Sequence, residues 1–516
     1  MPNAAPFDTD VLIVGAGPTG LVLAIWLTRL GARVRIVDRN AGPSTTSRAV
    51  AVQARVLELY NQVGLASRVV ERGVRGEALN LWVGGKRAAT VPITPAGTTL
   101  TPFPFVLIYP QDAHERLLIE HLASLGVQVE RSATLSALTQ DDAGVQATIE
   151  RADGRAGTCR ALYVAGCDGA RSAVRQALGI EFPGATYSQY FYVADVQATG
   201  PTTDGGVHIT LDDADFLIVF PLSGPGRIRL IGVARDESRG QQGDVTFDDV
   251  SHIALEQAGV KVTNVNWFST YHVHHRVARR FRDRRVFLLG DAAHIHSPVG
   301  GQGMNTGISD AINLSWKLAA VVRGHAAPRM LDSYEPERIA FARRLVATTD
   351  RLFTLATSRS RFASFVRTEI VPRVAPLLVR FSAVRRFMFR TVSQTMIHYR
   401  PSPLSVGAAG GVHAGDRLPW VPAGGDNFAP LTSLAWQVHL YGEPPHDPGP
   451  ACAELALPLH RFPYSPDAQR KGLLRGALYL IRPDGYVGFT DPNCDIAALR
   501  QYCASWGLDA VQPARA

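Results

Sequence analysis

Apolar runs and helical patterns alternate at the start of the chain. Residues 10–14 form a short apolar run that predicts a buried strand, a helix opens near Gly20, and residues 34–37 predict a second strand. This order predicts a β-α-β unit with parallel strands. Helical periodicity continues over residues 49–63, where apolar positions share one face.

The same alternation returns further along the chain. Residues 105–109 predict a strand, residues 112–125 a helix, residues 127–130 a strand, and residues 133–165 a β-meander. A buried strand at residues 286–290 and a long helix at residues 303–322 follow much later. We therefore predict an α/β fold whose Rossmann-like nucleotide-binding domain is discontinuous and consists of residues 1–75, 105–180 and 280–335.

A different pattern separates these pieces. Residues 187–270 alternate apolar and polar positions, which predicts an antiparallel sheet, and residues 76–104 predict short strands and turns. We expect residues 76–104 and 181–279 to form an inserted sheet domain that binds the substrate. The apolar segment between Phe182 and Phe220 provides for a roomy pocket.

The remaining residues predict two further parts. Residues 336–404 are mainly helical, and within them residues 370–392 are both apolar and rich in arginine. That segment suits an interfacial membrane helix, but Pro372 and Pro376 interrupt a long amphipathic surface and favour packing against the sheet domain or a second subunit. A linker or loop rich in glycine and proline is predicted at residues 405–427, and residues 405–516 as a whole are expected to form a small third α/β domain.

Composition narrows the class of protein. The 516 residues are 46% hydrophobic and 19% charged, as in globular proteins, and they require more than one domain. The five cysteines form no CxxC pair, which favours free thiols and a cytoplasmic location. We find neither a signal peptide nor an apolar run long enough for a membrane span. The net charge is +8, but aromatic residues are not interleaved with the basic runs of the chain, so we predict no nucleic-acid partner.

Glycine spacing in the first unit carries the first chemical signal. Gly15 permits a tight turn, Gly17 lets the backbone approach a pyrophosphate, and Gly20 lets the helix lie close to the strand. The helix N-terminus presents unpaired N–H groups to that pyrophosphate. Asp38 lies 18 residues beyond Gly20, where a carboxylate accepts ribose hydroxyls, and Arg39 beside it is counted as a further cofactor contact.

Two more motifs follow predicted strands and precede predicted helices. The first is Cys-Asp-Gly-Ala-Arg-Ser at residues 167–172, and the second is Gly-Asp-Ala-Ala-His at residues 290–294, which leads into a glycine-rich loop. In this order, the three motifs resemble those of the class A flavoprotein monooxygenases, the aromatic-ring hydroxylases of the p-hydroxybenzoate hydroxylase type. The resemblance covers residues 8–400. It implies tight, non-covalent FAD, NADPH or NADH and O2 as co-substrates, and no separate nicotinamide domain.

The resemblance assigns cofactor roles by position. It implies that the glycine turn binds the pyrophosphate, that Asp38 binds the adenosine ribose, and that Asp291 accepts the ribityl hydroxyls. A glycine-rich loop and helix N-terminus would face the flavin pyrimidine and stabilise its negative charge after reduction. The other residues carried over are Arg48 and Gln111 near the flavin and ribityl chain, Asp168 and Arg171 of the Asp-Gly motif, and Gly301, Gly303, Met304 and Asn305 of the loop and helix.

The implied reaction is a hydroxylation. Reduced flavin forms a C4a-hydroperoxide with O2, and its distal oxygen attacks a phenolic or polycyclic aromatic ring. A base or hydrogen-bond acceptor near the substrate hydroxyl is expected, but the sequence leaves it unassigned. Candidates facing the sheet pocket are Tyr187, Tyr190, His208 and Tyr271, with Pro298, Gly300 and Gly301 in the flavin loop.

Several alternatives stay open at this stage. The same fold supports epoxidation or Baeyer–Villiger oxidation, or NAD(P)H oxidation without oxygen insertion. His294 and His296 lack a third ligand at a suitable spacing, so no metal is predicted. The protein is expected to be a monomer or a homodimer. The C-terminal domain resembles the thioredoxin-like tail of the phenol and polyketide hydroxylases, and without CxxC it is expected to serve packing or dimerisation.

Overall fold

Two eight-stranded sheets form the larger part of the protein, and a four-stranded sheet lies near its C-terminus. The computed structural model describes residues 7–45, 49–211, 216–233, 246–250, 252–296, 301–357, 360, 362 and 365–508. Within these residues, no helix combines the length and the apolar composition needed to cross a membrane.

The strands are numbered in chain order: β1 (Thr9–Val14), β2 (Val34–Val37), β3 (Ala51–Val52), β4 (Val74–Gly76), β5 (Ala78–Val83), β6 (Lys86–Pro92), β7 (Val106–Ile108), β8 (Val129–Glu130), β9 (Ala133–Gln140), β10 (Val145–Arg151), β11 (Ala156–Gly166), β12 (Gly184–Thr199), β13 (Val207–Leu211), β14 (Phe216–Pro221), β15 (Arg227–Val233), β16 (Lys261–Val277), β17 (Arg282–Asp283), β18 (Val286–Leu288), β19 (His294–Ile295), β20 (Ala408–Ala409), β21 (Val412–His413), β22 (Gln437–Tyr441), β23 (Leu459–Phe462), β24 (Leu478–Ile481) and β25 (Val487–Asp491).

The helices are numbered in the same way: α1 (Pro18–Arg29), α2 (Ala54–Gln62), α3 (Ala66–Arg72), α4 (Thr94–Gly97), α5 (Gln111–Ser124), α6 (Ala173–Ala177), α7 (His252–Gln257), α8 (Gly303–Val322), α9 (Tyr334–Thr357), α10 (Val371–Leu378), α11 (Ser382–Val392), α12 (Gly449–Glu454), α13 (Pro466–Arg470) and α14 (Ile496–Trp506). Short 3-10 turns cover Phe247–Asp249, Gly290–Ala292, Pro328–Ser333 and Ala429–Ser433, and a π-helical turn covers Val366–Ile370.

The first sheet forms the nucleotide-binding core. Its strands run in the order β17-β18-β11-β1-β2-β8, and β9 and β10 extend from β11 as the predicted meander. β1 is parallel to both β2 and β11, so the carboxyl ends of these strands meet at one edge. α1 is buried along most of its length and packs against α5 and α8, which explains why its sequence lacks a polar face.

The helix expected over residues 49–63 is shorter than its periodicity indicates. Residues Ala51 and Val52 pair instead with β7, and α2 begins at Ala54. The residue before the helix, Gln53, is extended (φ −84°, ψ 156°), and its N–H donates to Asn305 Oδ1 at 2.8 Å. Contacts with distant residues therefore override a local helical pattern, and the extended backbone turns one edge toward the cavity described below.

The second sheet is mostly antiparallel and runs β19-β16-β12-β15-β14-β13-β5-β6. β5 and β6, from residues 76–104, join its far edge through a parallel pairing of β5 with β13. Two long strands, β12 and β16, connect this sheet back toward the nucleotide-binding core. α10 packs on β6, and α11 packs on α4.

The C-terminal part packs tightly on the core. Its sheet has the order β23-β22-β24-β25, with β22 parallel to β23 and antiparallel to β24. The linker or loop predicted at residues 405–427 is a loop segment that contains the short strands β20 and β21 and buries Leu418 and Val421 in the core of this part. The glycine and proline residues form turns, and the segment still packs into the core.

Candidate active site

The glycine turn connects β1 to α1 at the carboxyl edge of the first sheet. Gly15 has a φ of +104°, and a Cβ there would lie 2.3 Å from the carbonyl oxygen of Cys167. A Cβ at Gly20 would lie 2.0 Å from the Gly15 oxygen, whereas one at Gly17 would meet open space. Gly15 and Gly20 thus permit close backbone packing, and Gly17, the N-cap of α1, lies on a cavity and leaves the helix N–H groups accessible.

Asp38 ends β2 beside this turn. Its Oδ2 accepts a hydrogen bond from the Ala16 N–H at 2.7 Å, and its Oδ1 accepts one from the Asn40 N–H at 2.8 Å. These bonds fix the orientation of the carboxylate and leave further lone pairs for a ligand. That Asp38 binds a ribose stays a prediction. Asp38 is buried and Arg39 is exposed, and neither lines the cavity, so a cofactor role for Arg39 also stays a prediction.

Glu115 is a neighbour that the sequence analysis missed. Its Oε2 accepts from the Ser44 N–H at 3.1 Å, and its Oε1 accepts from Gln111 Nε2 at 2.8 Å. Burial raises the pKa of this carboxyl, against the opposing effect of these bonds. Gln111 and Ser44 both line the cavity, so Glu115 orients two cavity residues from behind. Glu115 is the fifth residue of α5, and no local sequence pattern distinguished it from other helical residues.

The Asp-Gly motif lies on the other side of the glycine turn. Asp168 Oδ2 accepts from the Val174 N–H at 3.1 Å, while its Oδ1 is buried without a hydrogen-bond partner among the described residues. Burial raises the pKa of this carboxyl. A buried acceptor without a donor is unfavourable unless a ligand satisfies it. Gly169 and Ala170 line the cavity, whereas Arg171 is exposed and lies outside its lining.

Arg175, which the sequence analysis did not single out, joins this motif to the Gly-Asp motif. Its Nη1 donates to the Ala292 oxygen at 2.9 Å, and its Nη2 donates to the Ala170 oxygen at 2.9 Å. The guanidinium also lies over the ring of Phe182, 4.0 Å from its centroid. Arg175 thereby holds two distant loops in a fixed relation on either side of the cavity.

The Gly-Asp motif is held by a buried carboxylate. Asp310 Oδ2 accepts from the Gly290 N–H at 3.0 Å and bonds with His294 Nε2 at 2.7 Å, and its Oδ1 accepts from Arg338 Nε at 2.5 Å. Burial alone would raise the pKa of Asp310, but Arg338 and His294 outweigh burial and hold the pKa below its ordinary value. Asp291 lies next to this anchored glycine, exposed to the cavity.

The N-terminus of α8 closes the same end of the cavity. Gly301, with φ +61°, and the residues Gln302, Gly303 and Met304 line it. No side chain caps the helix and no acidic residue lies in its first turn, so its partial positive charge faces the cavity. Asn305 is buried within the helix. Pro298 and Gly300 of the predicted flavin loop lie outside the described residues.

Asn305 holds the extended segment 49–53 against the cavity. Its Nδ2 donates to the oxygens of Ala51 and Gly301 at 2.9 and 2.8 Å, and its Oδ1 accepts from the Gln53 N–H. Its amide is therefore engaged with backbone, and it shapes the site through Ala51 and Gln53, which line the cavity. Arg48, predicted to contact the cofactor, lies outside the described residues.

Arg229 of the second sheet reaches the same segment and was also missed. Its Nε and Nη2 donate to Asp195 at 2.6 and 2.8 Å, and its Nη1 donates to the Ala49 oxygen at 3.3 Å. The side chain is 1% exposed and lies over the ring of Trp267. A buried arginine that joins the second sheet to segment 49–53 is a feature of tertiary structure, and no local pattern marks it.

The cavity continues from these loops over the second sheet and has a volume of about 820 Å³. Alternate residues of β13 and β14 face it, which gives an apolar wall of Val207, Ile209, Phe216, Ile218 and Phe220. The polar groups in this half are Tyr271, His272 and His274 of β16, His296, and Arg385 of α11. This apolar wall therefore adjoins the end of the cavity that the loops and the N-terminus of α8 line.

The candidate bases differ in whether they line the cavity. Tyr271 lines the cavity, whereas Tyr187 packs against the His275 ring, 4.9 Å between centroids, outside the cavity lining. The side chain of Tyr190 lies outside the described residues. His208 does not face the cavity as expected, because it alternates with Val207 and Ile209. Its Nδ1 accepts from Trp82 Nε1 at 2.9 Å, and its Nε2 lies 2.8 Å from Asp204, so both ring nitrogens are engaged.

FAD matches the donor set of this cavity. Two helix N-termini and a glycine turn without Cβ atoms suit a pyrophosphate and an anionic ring edge, and the carboxylate of Asp291 in the lining suits polyol hydroxyls. The buried Asp168 Oδ1 offers an acceptor that a bound ligand or its ordered water would satisfy. The arrangement therefore fits an extended dinucleotide at one end and an apolar substrate at the other.

Comparisons with known proteins agree with this geometry. The FAD binding domain family matches residues 8–349. The chain is 35% identical to 6-methylpretetramide 4-monooxygenase of Streptomyces rimosus, over 93% of this chain and 90% of that protein. It is 36% identical to rifampicin monooxygenase of Streptomyces venezuelae, over 76% and 79% of the two chains.

Solved structures show the same relationship. The anhydrotetracycline hydroxylase from Streptomyces rimosus superposes with a TM-score of 0.76 at 28% identity, covering 97% of this chain and 99% of that one. The sequence resemblance to the aromatic hydroxylases is thus confirmed. The chain belongs to the FAD binding domain family and, within it, to the flavin-dependent monooxygenases of the aromatic-hydroxylase type.

Proposed function

We propose that this protein uses FAD, NADPH or NADH, and O2 to hydroxylate a polycyclic phenolic substrate. The observation that carries the proposal is one continuous cavity. One end is lined by Gly17, Asp291 and the N-terminus of α8, and the other by the apolar faces of β13 and β14. A cofactor in the first part and a substrate in the second would meet where the two parts join.

The residues that would hold FAD divide along its length. The turn at Gly15–Gly17 and the N-terminus of α1 would take the pyrophosphate, Asp38 the adenosine ribose and Asp291 the ribityl chain. The N-terminus of α8 would stabilise negative charge on the pyrimidine edge. Bound FAD supplies hydride acceptance from the nicotinamide and activation of O2, and the protein supplies orientation and exclusion of water.

The substrate half supports a large, flat and mainly apolar molecule. Its volume of about 820 Å³ also includes space for the cofactor, and its walls carry few polar groups. A phenol reacts faster when its hydroxyl is deprotonated, so a nearby acceptor would contribute. Tyr271 and His272 on β16 line the cavity and are the candidates for that role. The relative acting on 6-methylpretetramide supports a polycyclic substrate class.

We further propose that the chain divides as its sequence indicates, with residues 405–516 forming a thioredoxin-like domain. The order β23-β22-β24-β25 supports this fold, as do α12 and α13 in the two crossings and α14 at the end. Its three cysteines, Cys452, Cys494 and Cys503, are buried as free thiols. The domain would act by packing, and free thiols throughout the chain suit the cytoplasm.

Oxygen transfer can be tested directly. The purified holoenzyme would be screened with phenolic and polycyclic aromatic compounds for stimulated NADPH or NADH consumption, with 18O2 and mass spectrometry of the products. Hydroxylation adds one labelled oxygen to an aromatic ring. An epoxide, a lactone or an unchanged substrate with rapid NAD(P)H oxidation would replace the proposal by one of the other reactions that this fold supports.

A further inference from the structure

An apolar helical stripe of this protein faces solvent. Of the exposed large hydrophobic side chains among the described residues, ten lie between residues 362 and 396. Five of them lie close together. Four share one face of α10 and the residue before it, at positions that a globular protein normally turns toward its core, and Phe381 follows the end of α10 with an extended backbone. This outward stripe consists of Ile370, Val374, Leu377, Leu378 and Phe381. Leu377 is 54% exposed and Phe381 is 63% exposed.

Arginines accompany the outward stripe. Residues 370–392 contain five arginines and no acidic residue. Arg373, Arg380, Arg386 and Arg390 are exposed on α10 and α11 or between them, and Phe387 beside them is 60% exposed. Glu369, directly before this segment, pairs with Arg373 at 2.5 Å, whereas Arg380, Arg386 and Arg390 have no acidic partner among the described residues. Apolar side chains next to such cations are typical of helices that lie in a lipid–water interface.

The same two helices form part of the cavity. α10 packs on β6, and the Phe389 ring of α11 lies so close to Gly97 that a Cβ there would be 2.5 Å from it. Arg385, Met388, Phe389 and Val392 of α11 line the cavity. One side of the helix pair therefore borders the apolar substrate space, and its other side presents the outward stripe.

The positive charge of residues 370–392 favours a lipid surface over a second copy of the chain as the partner of the outward stripe. A second copy of the chain would bring its own arginines against these, without carboxylates in the segment to pair with them. Anionic lipid headgroups complement the arginines, and the acyl region accommodates the apolar side chains. A bilayer also supplies the extended apolar surface that ten scattered side chains require.

We propose that α10 and α11 bind the surface of an anionic membrane, with Leu377, Phe381 and Phe387 in the interface and Arg380, Arg386 and Arg390 at the headgroups. This places the wall of the substrate cavity beside the bilayer, from which an apolar substrate can enter. Membrane binding itself does not depend on the reaction proposed above. The helices lie on the surface and do not cross the bilayer.

The test is flotation of the FAD-loaded protein with lipid vesicles. We expect binding to vesicles of phosphatidylcholine with phosphatidylglycerol, weakening with salt, and little binding to phosphatidylcholine alone. The double variant Leu377→Ser with Phe381→Ser should lose most of the binding. The double variant Arg380→Gln with Arg386→Gln should weaken binding by about fivefold for each arginine removed.

Matched controls lie elsewhere on the surface. The pair Ile253→Ser and Val265→Ser removes two exposed apolar side chains, and the pair Arg155→Gln and Arg470→Gln removes two exposed arginines. Both controls should float like the unmodified protein, and every variant should retain its flavin absorbance and its turnover of a water-soluble substrate.

Three results would overturn the proposal. The unmodified protein fails to float with anionic vesicles, or it floats equally with neutral vesicles. The third result is that the apolar double variant and the arginine double variant both float as well as the unmodified protein. Light scattering coupled to size-exclusion chromatography adds a fourth. A dimer that becomes monomeric in the Leu377→Ser and Phe381→Ser variant would assign the stripe to self-association.

Discussion

Arg229 donates a hydrogen bond to the Ala49 carbonyl oxygen at 3.3 Å and so connects the second sheet to segment 49–53, which lines the cavity. The same oxygen accepts from the Gln111 N–H at 3.1 Å. Because Asp195 fixes the guanidinium through two further bonds, segment 49–53 cannot shift independently of β12 and β15. This contact would couple the geometry of the proposed substrate and cofactor sites.

Replacing this arginine should therefore weaken FAD binding. Arg229→Lys keeps a positive charge near Asp195 but cannot maintain both the bidentate pair and the Ala49 bond. We expect FAD to bind about tenfold more weakly, because a buried hydrogen bond from a charged donor is lost. Fluorescence titration of the apoprotein with FAD measures this. Arg227→Lys, at an exposed position on the same strand, should leave the affinity unchanged.

Asp291 should be needed for tight FAD binding. Asp291→Ala removes the cavity carboxylate that is predicted to accept ribityl hydroxyls, and two hydrogen bonds to a charged acceptor are worth about tenfold to hundredfold in affinity. The variant should purify with little flavin absorbance. Glu150→Ala, which removes an exposed carboxylate on β10, is the control. A fully yellow Asp291→Ala protein with normal turnover would show that another residue holds the ribityl chain.

His208 and Tyr271 should respond differently to substitution. His208 is buried between Trp82 and Asp204, and burial lowers the pKa of its ring, so His208→Asn should reduce thermal stability without changing the pH profile of kcat. Tyr271 lines the cavity, and Tyr271→Phe should change kcat or its pH profile if its hydroxyl contacts the substrate. An altered pH profile in His208→Asn alone would reverse this assignment.

Glu337 of α9, which bonds with Arg482 of the C-terminal part, should contribute strongly to the stability of the protein. Its carboxylate is fully buried and accepts from Arg482, Lys317, Asn313 and Ser402. Glu337→Gln leaves Lys317 without a counter-charge and Arg482 with Asp484 alone, and we expect a loss of about 3–5 kcal/mol in the free energy of unfolding, measured by urea denaturation. Glu120→Gln, which affects only exposed arginine pairs, should have little effect.

The same residue predicts the direction of acid sensitivity. Burial would raise the pKa of Glu337, but Arg482 and Lys317 lower it well below its ordinary value of 4.5. The folded state therefore binds fewer protons than the unfolded state below pH 4.5, and its stability falls as the pH falls through that region. Glu337→Gln should show a shallower decline in melting temperature between pH 5 and pH 3. An identical slope in both proteins would assign acid sensitivity to other carboxylates.

The cysteines should be unreactive in the folded protein. All five are buried, and burial raises the pKa of Cys452 and of Cys494 to about 11 and that of Cys503 to about 12. Since the thiolate is the reactive form, a chromogenic disulfide reagent at pH 8 should titrate no thiol quickly and all five after unfolding. A rapidly reacting thiol in the C-terminal part would reopen a redox role for it.

Local sequence predicted the elements whose residues act near one another. The strand, glycine turn and acid of residues 10–38 predicted β1, α1 and β2, because steric limits on a turn and the pairing of neighbouring strands are local constraints. The helix from Ile496 to Trp506 and the alternating strands of the second sheet were read in the same way. The extended backbone at Ala51 and Val52 was missed, because β7 and Asn305 hold it from far along the chain.

The sequence by itself determined the β-α-β unit, the three loop motifs and the resemblance they carry, since each depends on neighbouring residues. Only the tertiary structure decided that Arg175, Arg229 and Asp310 hold the loops together, and that Tyr271 rather than His208 faces the cavity. It also decided that the apolar side of α10 faces solvent. A hydrophobic period records which residues share a face, but what that face meets depends on packing between elements far apart in the chain.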